Sequence, residues 1–359
     1  MNEDKSTRYH RLRRRADLMG TALAGVVLSA LIWVGFGRGM NVVVLTIAIV
    51  LILQAVEFPF AFYQGHLLEH HYGLSTQSTV RWLSDHLKGF LLGTVLAVAG
   101  ASIVFLTLRQ WPNQWWLVSA GLFAIATIGI AGLAPVVLMP IFYKFKPLDR
   151  PPLVERLMAL ATRARTDIVG VFEWVLSDHT KKANAALAGM GKTRRILLSD
   201  TLLADYSEDE IEVILAHELA HHVHRDLWRG IALQAVILVG GFYVADQVLR
   251  MAAGPLALSG IADPAGLPVL MLVAGVWSFL VMPVANALSR AQERAADRYA
   301  LATTRNVEAF VTAMKRLAQQ NLAEEYPSTV VRWLFFSHPP IRERIDAARA
   351  FAREGPHAA

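Results

Sequence analysis

Two histidines four residues apart are the side chains of this sequence best spaced to do chemistry. His217 and His221 enclose Glu218 in the run His-Glu-Leu-Ala-His. On a helix, residues i and i+4 lie on one face, because each turn takes about 3.6 residues. Two imidazoles on one face can share a zinc ion, with the intervening glutamate held beside the metal-bound water as a base. The run therefore predicts a zinc-dependent hydrolase.

The element that must carry these side chains is a helix, and the preceding residues predict one. Ser207 and Glu210 form the pattern of a capping box, in which each side chain binds the backbone N–H of the other residue. Acidic residues in the first turn suit the positive end of a helix. Apolar residues then recur at helical spacing, at Ile211, Ile214, Leu215 and Leu219. We expect a helix that starts after Ser207 and contains both histidines.

A hydrolytic zinc site needs a third protein ligand and one position open to water. The chain has no cysteine, so this ligand must be a histidine or a carboxylate. His224 lies about one helical turn too far along the axis, and His222 points roughly 100° away from His221. We expect His222 and His224 to flank the site rather than bind the metal.

Glu293 and Asp297 offer two carboxylates four residues apart in a second predicted helix. Glu293 could bind zinc while Asp297 accepts the N–H of a ligand histidine and fixes its tautomer. In the alternative interpretation, both carboxylates pair with neighbouring arginines on a solvated face. These arginines are Arg290, Arg294 and Arg298. Spacing alone leaves both interpretations open.

The composition and six long apolar runs identify an integral membrane protein. Hydrophobic residues make up 54% of the 359 residues, and charged residues only 18%. Each run is long enough to cross a hydrocarbon core about 30 Å thick. The runs are approximately Leu18–Phe36, Val42–Phe62, Phe90–Leu108, Trp116–Ile141, Trp228–Leu249 and Leu267–Leu288. Six such runs disfavour the alternative of buried core helices in a large soluble protein.

A basic cluster before the first run predicts the orientation in the membrane. Its members are Lys5, Arg8, Arg11, Arg13, Arg14 and Arg15. Such clusters stay in the cytoplasm, and we expect an uncleaved anchor to follow. Four spans then return the chain to the cytoplasm for Lys144–Leu227, and two more do so for residues 289–359. The prediction is a multi-pass protein of the cell inner membrane, with both termini and the active site in the cytoplasm.

The predicted fold is mainly α, with polytopic membrane helices (about six spans) and a cytoplasmic α+β domain that carries the zinc site and contains a small β-sheet. An amphipathic helix should run from Pro151 to about Ala164. The predicted regions are a four-span membrane part at 1–143, a catalytic part at 144–227, two further spans at 228–288 and a second catalytic part at 289–359. Strands are predicted at Val169–Leu176, Ala183–Ala188 and Arg195–Leu198, with a hairpin turn at Gly189–Lys192.

Three motifs together closely resemble the integral-membrane zinc proteases of the CAAX prenyl endopeptidase and HtpX type, with the CAAX branch the closer match. They are His217–His221, the pattern Ser289-Arg290-x-x-Glu293-x-x-x-Asp297, and Ser337-His338-Pro339-Pro340. Further matching segments are Glu57–Phe60, Glu69–Ser75, Met139–Leu148, Asn184-Ala185 with Gly189, Gly191 and Lys192, and Leu198–Leu202.

Two features depart from the family. We count six spans where the eukaryotic enzymes have seven, and Tyr143 stands where a polar residue is frequent.

The resemblance implies a role for each of these site residues. It makes Glu293 the third ligand of one Zn²⁺, beside His217 and His221, with Asp297 supporting a ligand histidine. Glu218 would be the general base. His338 would lie near the oxyanion, whereas the alternative interpretation is a histidine that merely precedes a helix. An edge strand containing Asn184, Ala185 and Ala186 would pair with the substrate backbone.

The leading hypothesis is a membrane-embedded zinc endopeptidase whose substrate is a peptide or protein, either membrane-associated or lipidated. An HtpX-like quality-control protease of misfolded membrane proteins is the alternative within that class. A metal transporter would carry ionisable residues near the middle of its spans. Here the spans are nearly devoid of such residues, and the two exceptions, Glu57 and Asp246, lie toward span ends, so a transporter is disfavoured. An inactive scaffold is the third class.

The net charge of +6 suits contact with membrane lipids and does not indicate nucleic acid. The sequence predicts no oligomeric state.

Overall fold

The computed structural model describes residues 4–354, so the ends of the predicted N- and C-terminal regions, residues 1–3 and 355–359, lie outside the described residues. The fold is mainly helical with one small sheet, as predicted. The helices are α1 Lys5–Trp33, α2 Val42–Phe62, α3 Glu69–His71, α4 Thr79–Gln110, α5 Trp115–Leu133, α6 Met139–Phe142, α7 Pro151–Arg163, α8 Asp200–Asp205, α9 Glu208–Val223, α10 Asp226–Ala253, α11 Leu267–Thr304, α12 Val307–Gln320, α13 Thr329–Phe335 and α14 Ile341–Glu354. The strands are β1 Lys144–Pro147, β2 Val171–Val175, β3 Ala185–Ala188 and β4 Arg195–Ser199.

Six helical segments in the described chain are long and apolar enough to cross a membrane, which confirms the predicted number. Several extend well beyond their apolar runs. The first begins at Lys5, and the second continues from α2 through a π-helical stretch into α3. The six segments are Lys5–Trp33, Val42–His71, Thr79–Gln110, Trp115–Phe142, Asp226–Ala253 and Pro264–Thr304.

An aromatic and aliphatic cluster joins the spans at one end of the bundle. Ile49, Phe105 and Leu249 are among its buried side chains. The indole Nε1 of Trp115 in α5 donates to Asp246 of α10 at 2.6 Å. The Nε of Arg250 also donates to that carboxylate at 2.9 Å. Asp246 is therefore a paired structural residue at this end of the bundle.

The sheet has four strands in the order β1-β2-β4-β3. Strands β2 and β4 are parallel, and β1 and β3 each pair antiparallel with a neighbour. The three predicted strands are present, and β3 is joined to β4 through the predicted turn, where Gly189 has a φ of +94°. Strand β1 is not predicted from the sequence, because four residues with two lysines and a terminal proline show no strand pattern. Strand β3 lies at one edge of the sheet.

Residues 144–227 and 289–359 share a hydrophobic core that is distinct from the cluster among the spans. Helix α7, which ends at Arg163 close to the predicted Ala164, buries Leu153, Leu157 and Leu160 against the sheet and α9. Helix α11 continues without a break from the sixth span to Thr304 and packs along α9. This packing brings two helices from distant parts of the sequence side by side.

The first helix also contacts the catalytic part. The Nε2 of His10 lies 2.8 Å from the carbonyl oxygen of Leu322. Arg14 forms a 2.5 Å ion pair with the buried Glu324. The basic end of α1 therefore lies on the same side of the spans as the polar region at residues 289–359.

Candidate metal centre

The site begins with helix α9, which starts as the sequence predicts. The Ser207 side chain accepts the N–H of Glu210, and the Glu210 carboxylate accepts the N–H of Ser207 at 2.8 Å. This capping box satisfies backbone donors that a helix start otherwise leaves free. The buried face of the helix then fixes the orientation of His217, Glu218 and His221.

His217, His221 and Glu293 converge on one point and could hold a metal ion. Three potential ligand atoms, one from each residue, lie within 4.8 Å of one another. The Nε2 of His217 lies 3.2 Å from Oε2 of Glu293, and the Nε2 of His221 lies 3.5 Å from Oε1. Oε2 of Glu293 is buried and has no hydrogen-bond partner of acceptable geometry among the described residues. Two imidazoles and one carboxylate form a donor set that suits zinc.

A carboxylate holds each histidine from behind. The Nδ1 of His217 lies 2.9 Å from Oδ1 of Asp297, and the Nδ1 of His221 lies 3.0 Å from Oδ2 of Asp226. If Nδ1 carries the proton, each Nε2 presents its lone pair toward Glu293. The sequence analysis predicted Asp297 for this position but missed Asp226.

The charges around His217 favour a cation at this point. Burial lowers the pKa of His217, but the neighbouring carboxylates of Asp297 and Glu293 outweigh it and raise the pKa to about 9. The two carboxylates therefore favour a positive charge at this point, which a bound cation would supply.

Arg344 is a second residue that the sequence analysis missed. It lies on α14 and is buried, and its guanidinium binds Asp297 through two hydrogen bonds of 2.8 Å and 2.5 Å. Such a bidentate pair fixes the plane of the carboxylate. Arg344 lies six residues after His338, and this spacing does not indicate that the two side chains share one face of a helix. Asp226 was equally hidden, because Arg225, with a φ of +57°, turns the chain between α9 and α10.

Glu218 and His338 line the same small cavity as the three potential ligands. The cavity has a volume of about 230 Å³, and its apolar wall includes Ile214 and Met314. Burial raises the pKa of Glu218, and the nearby histidines partly oppose that rise. The Nε2 of His338 lies 3.2 Å from Oε1 of Glu293, while 61% of its side chain is exposed. A carboxyl group and an imidazole thus lie beside the point where a metal would bind.

Helix α11 also fixes the segment that leads to His338. Asn286 donates to the carbonyl oxygen of Leu334 at 2.6 Å, and Arg290 donates to that of Phe336 at 2.6 Å. Arg290 is therefore engaged with the backbone around α13. The interpretation in which it merely pairs with Glu293 on a solvated face does not describe its surroundings.

The predicted substrate residues lie on or beside the edge strand. Asn184 is exposed, and its backbone exchanges two 2.9 Å hydrogen bonds with Ser199. Ala185 and Ala186 are partly buried in β3, which pairs with β4 and contacts α9. His224 packs against Tyr299 with ring centroids 5.8 Å apart, and neither it nor His222 belongs to the candidate metal group.

Known proteins match the chain over nearly its whole length. A family model described as peptidase family M48 matches residues 148–352. A second, described as the CAAX prenyl protease N-terminal region with five membrane helices, matches residues 5–144, where this chain has four candidate spans. The chain is 32% identical to the uncharacterized metalloprotease YhfN of Bacillus subtilis over 288 residues, which cover 79% of this chain and 68% of that protein.

Two further matches belong to the CAAX branch. The CAAX prenyl protease 1 homolog of Arabidopsis thaliana is 28% identical over 306 residues, covering 82% of this chain and 70% of the relative. The crystal structure of S. mikatae Ste24p has the same fold, with a TM-score of 0.83 and 20% identity over 96% of this chain and 88% of that one. The resemblance inferred from the motifs is confirmed. The chain belongs to peptidase family M48 and is a multi-pass membrane protease of the CAAX prenyl protease type.

Proposed function

We propose that this protein is a zinc-dependent endopeptidase that hydrolyses peptide bonds at the cytoplasmic face of the cell inner membrane. The observation that carries the proposal is the convergence of His217, His221 and Glu293 beside Glu218 in one cavity. These three side chains would hold one zinc ion. When bound, zinc would polarise the scissile carbonyl and make a water acidic enough to attack it.

The remaining residues of the site would handle protons and charge. Glu218 would accept a proton from the attacking water and pass it to the departing amine. His338 is exposed at the cavity and would donate to the developing oxyanion. Asp297 and Asp226 would keep the two imidazoles in the orientation that metal binding needs, and Arg344 would hold Asp297.

Strand β3 would present the substrate to this site. Its outer edge is free of strand partners in the described chain, so its backbone can pair with an extended peptide. Pairing through the backbone reads little sequence, and Asn184, Ala185 and Ala186 would form this platform. The substrate would be a peptide or protein that reaches the site at the membrane surface.

Two observations taken together support the proposed cytoplasmic orientation. Basic clusters beside a span remain in the cytoplasm. The basic end of α1 contacts the loop after α12 through His10 and Arg14. The catalytic residues would therefore lie on the cytoplasmic side.

Glu218→Gln tests the proposed chemistry. The variant should keep its zinc and lose peptide cleavage, because the amide cannot accept the proton. Purified protein in detergent should be assayed for metal content and for cleavage of a panel that contains a prenylated C-terminal peptide and an unfolded membrane protein. Undiminished cleavage by the variant would remove Glu218 from the mechanism. The panel also separates a processing enzyme from a quality-control protease.

A further inference from the structure

The chain that leads into the edge strand is held from several sides. The N–H of Lys181 and the hydroxyl of Thr180 both donate to the carbonyl oxygen of Leu74 at 2.8 Å. On the other side, the side chain of Asn321 accepts the N–H of Ala183 at 3.2 Å. The Thr201 hydroxyl donates to the carbonyl oxygen of Lys182 at 2.9 Å. Residues 180–184, which we name the strand lead, are therefore a fixed segment.

The buried carboxylate of Glu69 provides a further contact to the strand lead, through the side chain of Lys182. It accepts hydrogen bonds from the Tyr9 hydroxyl and, at 3.0 Å, from Nζ of Lys182. Nη1 of Arg13 lies 3.6 Å from the same carboxylate and donates to the Tyr9 hydroxyl at 3.1 Å. Glu69 thus joins α1 and the end of the second span to the strand lead. None of these residues touches the candidate metal group.

Strand β3 is held by its pairing with β4 and its contact with α9, and the strand lead fixes the point at which it begins. It is four residues long, three of them are alanine, and one edge has no strand partner in the described chain. A substrate that pairs with that edge needs the backbone N–H and C=O groups in one register. Moving the strand by a fraction of a strand repeat would misalign every such hydrogen bond.

We infer that Glu69 is a positioning residue for the substrate strand. It acts through Lys182, two residues before Asn184, and sets where β3 presents its free edge. The inference rests on the proposed peptidase function and adds the cytoplasmic end of the first helix to the substrate-binding apparatus. It also gives a role to the segment Glu69–Ser75, which the metal chemistry leaves unexplained.

The test is Glu69→Gln in the full-length protein. The amide cannot hold two cations, so the strand lead should loosen while the metal site, built from other residues, is left intact. We expect KM for a peptide to rise by about tenfold with kcat within about twofold of wild type, because ground-state and transition-state binding are lost together. Zinc content should be unchanged. Arg156→Gln is the control, since it breaks ion pairs with Asp209 and Glu212 and removes none of the contacts described for Glu69 and the strand lead.

Lys182→Gln provides a second variant on a more exposed side chain. If the two residues act as one unit, the double variant should raise KM no further than Glu69→Gln alone. An unchanged KM, or a fall in kcat and zinc content together, would overturn the inference.

Hydrogen exchange separates this inference from the proposed function. Amide exchange at 180–188 should accelerate in Glu69→Gln and not in Arg156→Gln, whether or not the protein cleaves the peptide used. Unchanged exchange there refutes the positioning role. Absence of cleavage by the wild type, with accelerated exchange in the variant, would instead count against the proposed function alone.

Discussion

At the scale of single residues, the structure separates what spacing can show from what it cannot. His217, Glu218 and His221 were visible because one helix turn relates them. Glu293 and Asp297 were visible as a pair, but spacing left their role open. The contacts of Asp297 with His217 and Arg344 support the metal-site interpretation. Asp226 and Arg344 could not be found, because their relation to the histidines exists only after the chain has folded.

We expect Glu293→Gln to lose bound zinc. A neutral amide is a weak ligand for a dication, so zinc content after dialysis should fall well below one ion per chain. Glu343→Gln is the control, because Glu343 pairs with Arg294 outside the cavity. Metal analysis and circular dichroism on both variants decide the point. A full zinc complement in Glu293→Gln would exclude it as the third ligand.

Asp226→Asn should weaken zinc binding without abolishing it. The amide oxygen can still accept from His221, but the negative charge that makes the imidazole a stronger ligand is gone. Loss of such a partner typically costs about 10- to 100-fold in metal affinity. Competition with a chelator measures the change, with the exposed Asp209→Asn as control. Equal affinities would show that Asp226 only stabilises the start of α10.

At the scale of elements, long patterns were predicted well and short ones poorly. Each span was predicted because its hydropathy accumulates over many residues, and α9 because cap and periodicity agree. Strand β1 is only four residues long, so it shows no pattern from which a strand could be predicted. The predicted apolar runs are shorter than the helical segments, since polar residues such as Lys5 and His71 belong to helices that the apolar runs do not cover. A helix shielded by neighbouring elements does not need an apolar sequence at its ends.

The turn between β3 and β4 makes a prediction at this scale. Gly189 has a φ of +94°, and a Cβ there would lie 2.6 Å from the carbonyl oxygen of Thr193. Gly189→Ala should therefore lower the free energy of unfolding by about 1–3 kcal/mol and loosen the hairpin. Gly191→Ala is the control, because its added Cβ meets no atom within 4 Å and only the φ of +55° is strained. Thermal unfolding should rank Gly189→Ala below Gly191→Ala; equal stability would show that the turn relaxes.

At the scale of the whole molecule, the even number of spans explains how one site is built from distant sequence. Helix α9 and the end of α11 meet because four spans precede α9, and α10 and the apolar part of α11 then supply two more before Glu293. Hydropathy predicted this arrangement without any contact information. It could not predict that the N-terminal helix touches the catalytic part, because a buried ion pair such as Arg14 with Glu324 has no signature in either segment alone.

The orientation in the membrane is open to a direct experiment, because the chain has no cysteine. Asn113 and Asp149 are exposed and lie in loops at opposite ends of the fourth span. Single variants Asn113→Cys and Asp149→Cys provide one thiol each. If the basic end of α1 is cytoplasmic, an impermeant maleimide should label the Asn113→Cys variant in cells whose inner membrane is intact and whose outer envelope is permeabilised. It should label the Asp149→Cys variant only after the inner membrane is lysed. The reverse pattern would place the catalytic residues outside and contradict the proposed cytoplasmic site.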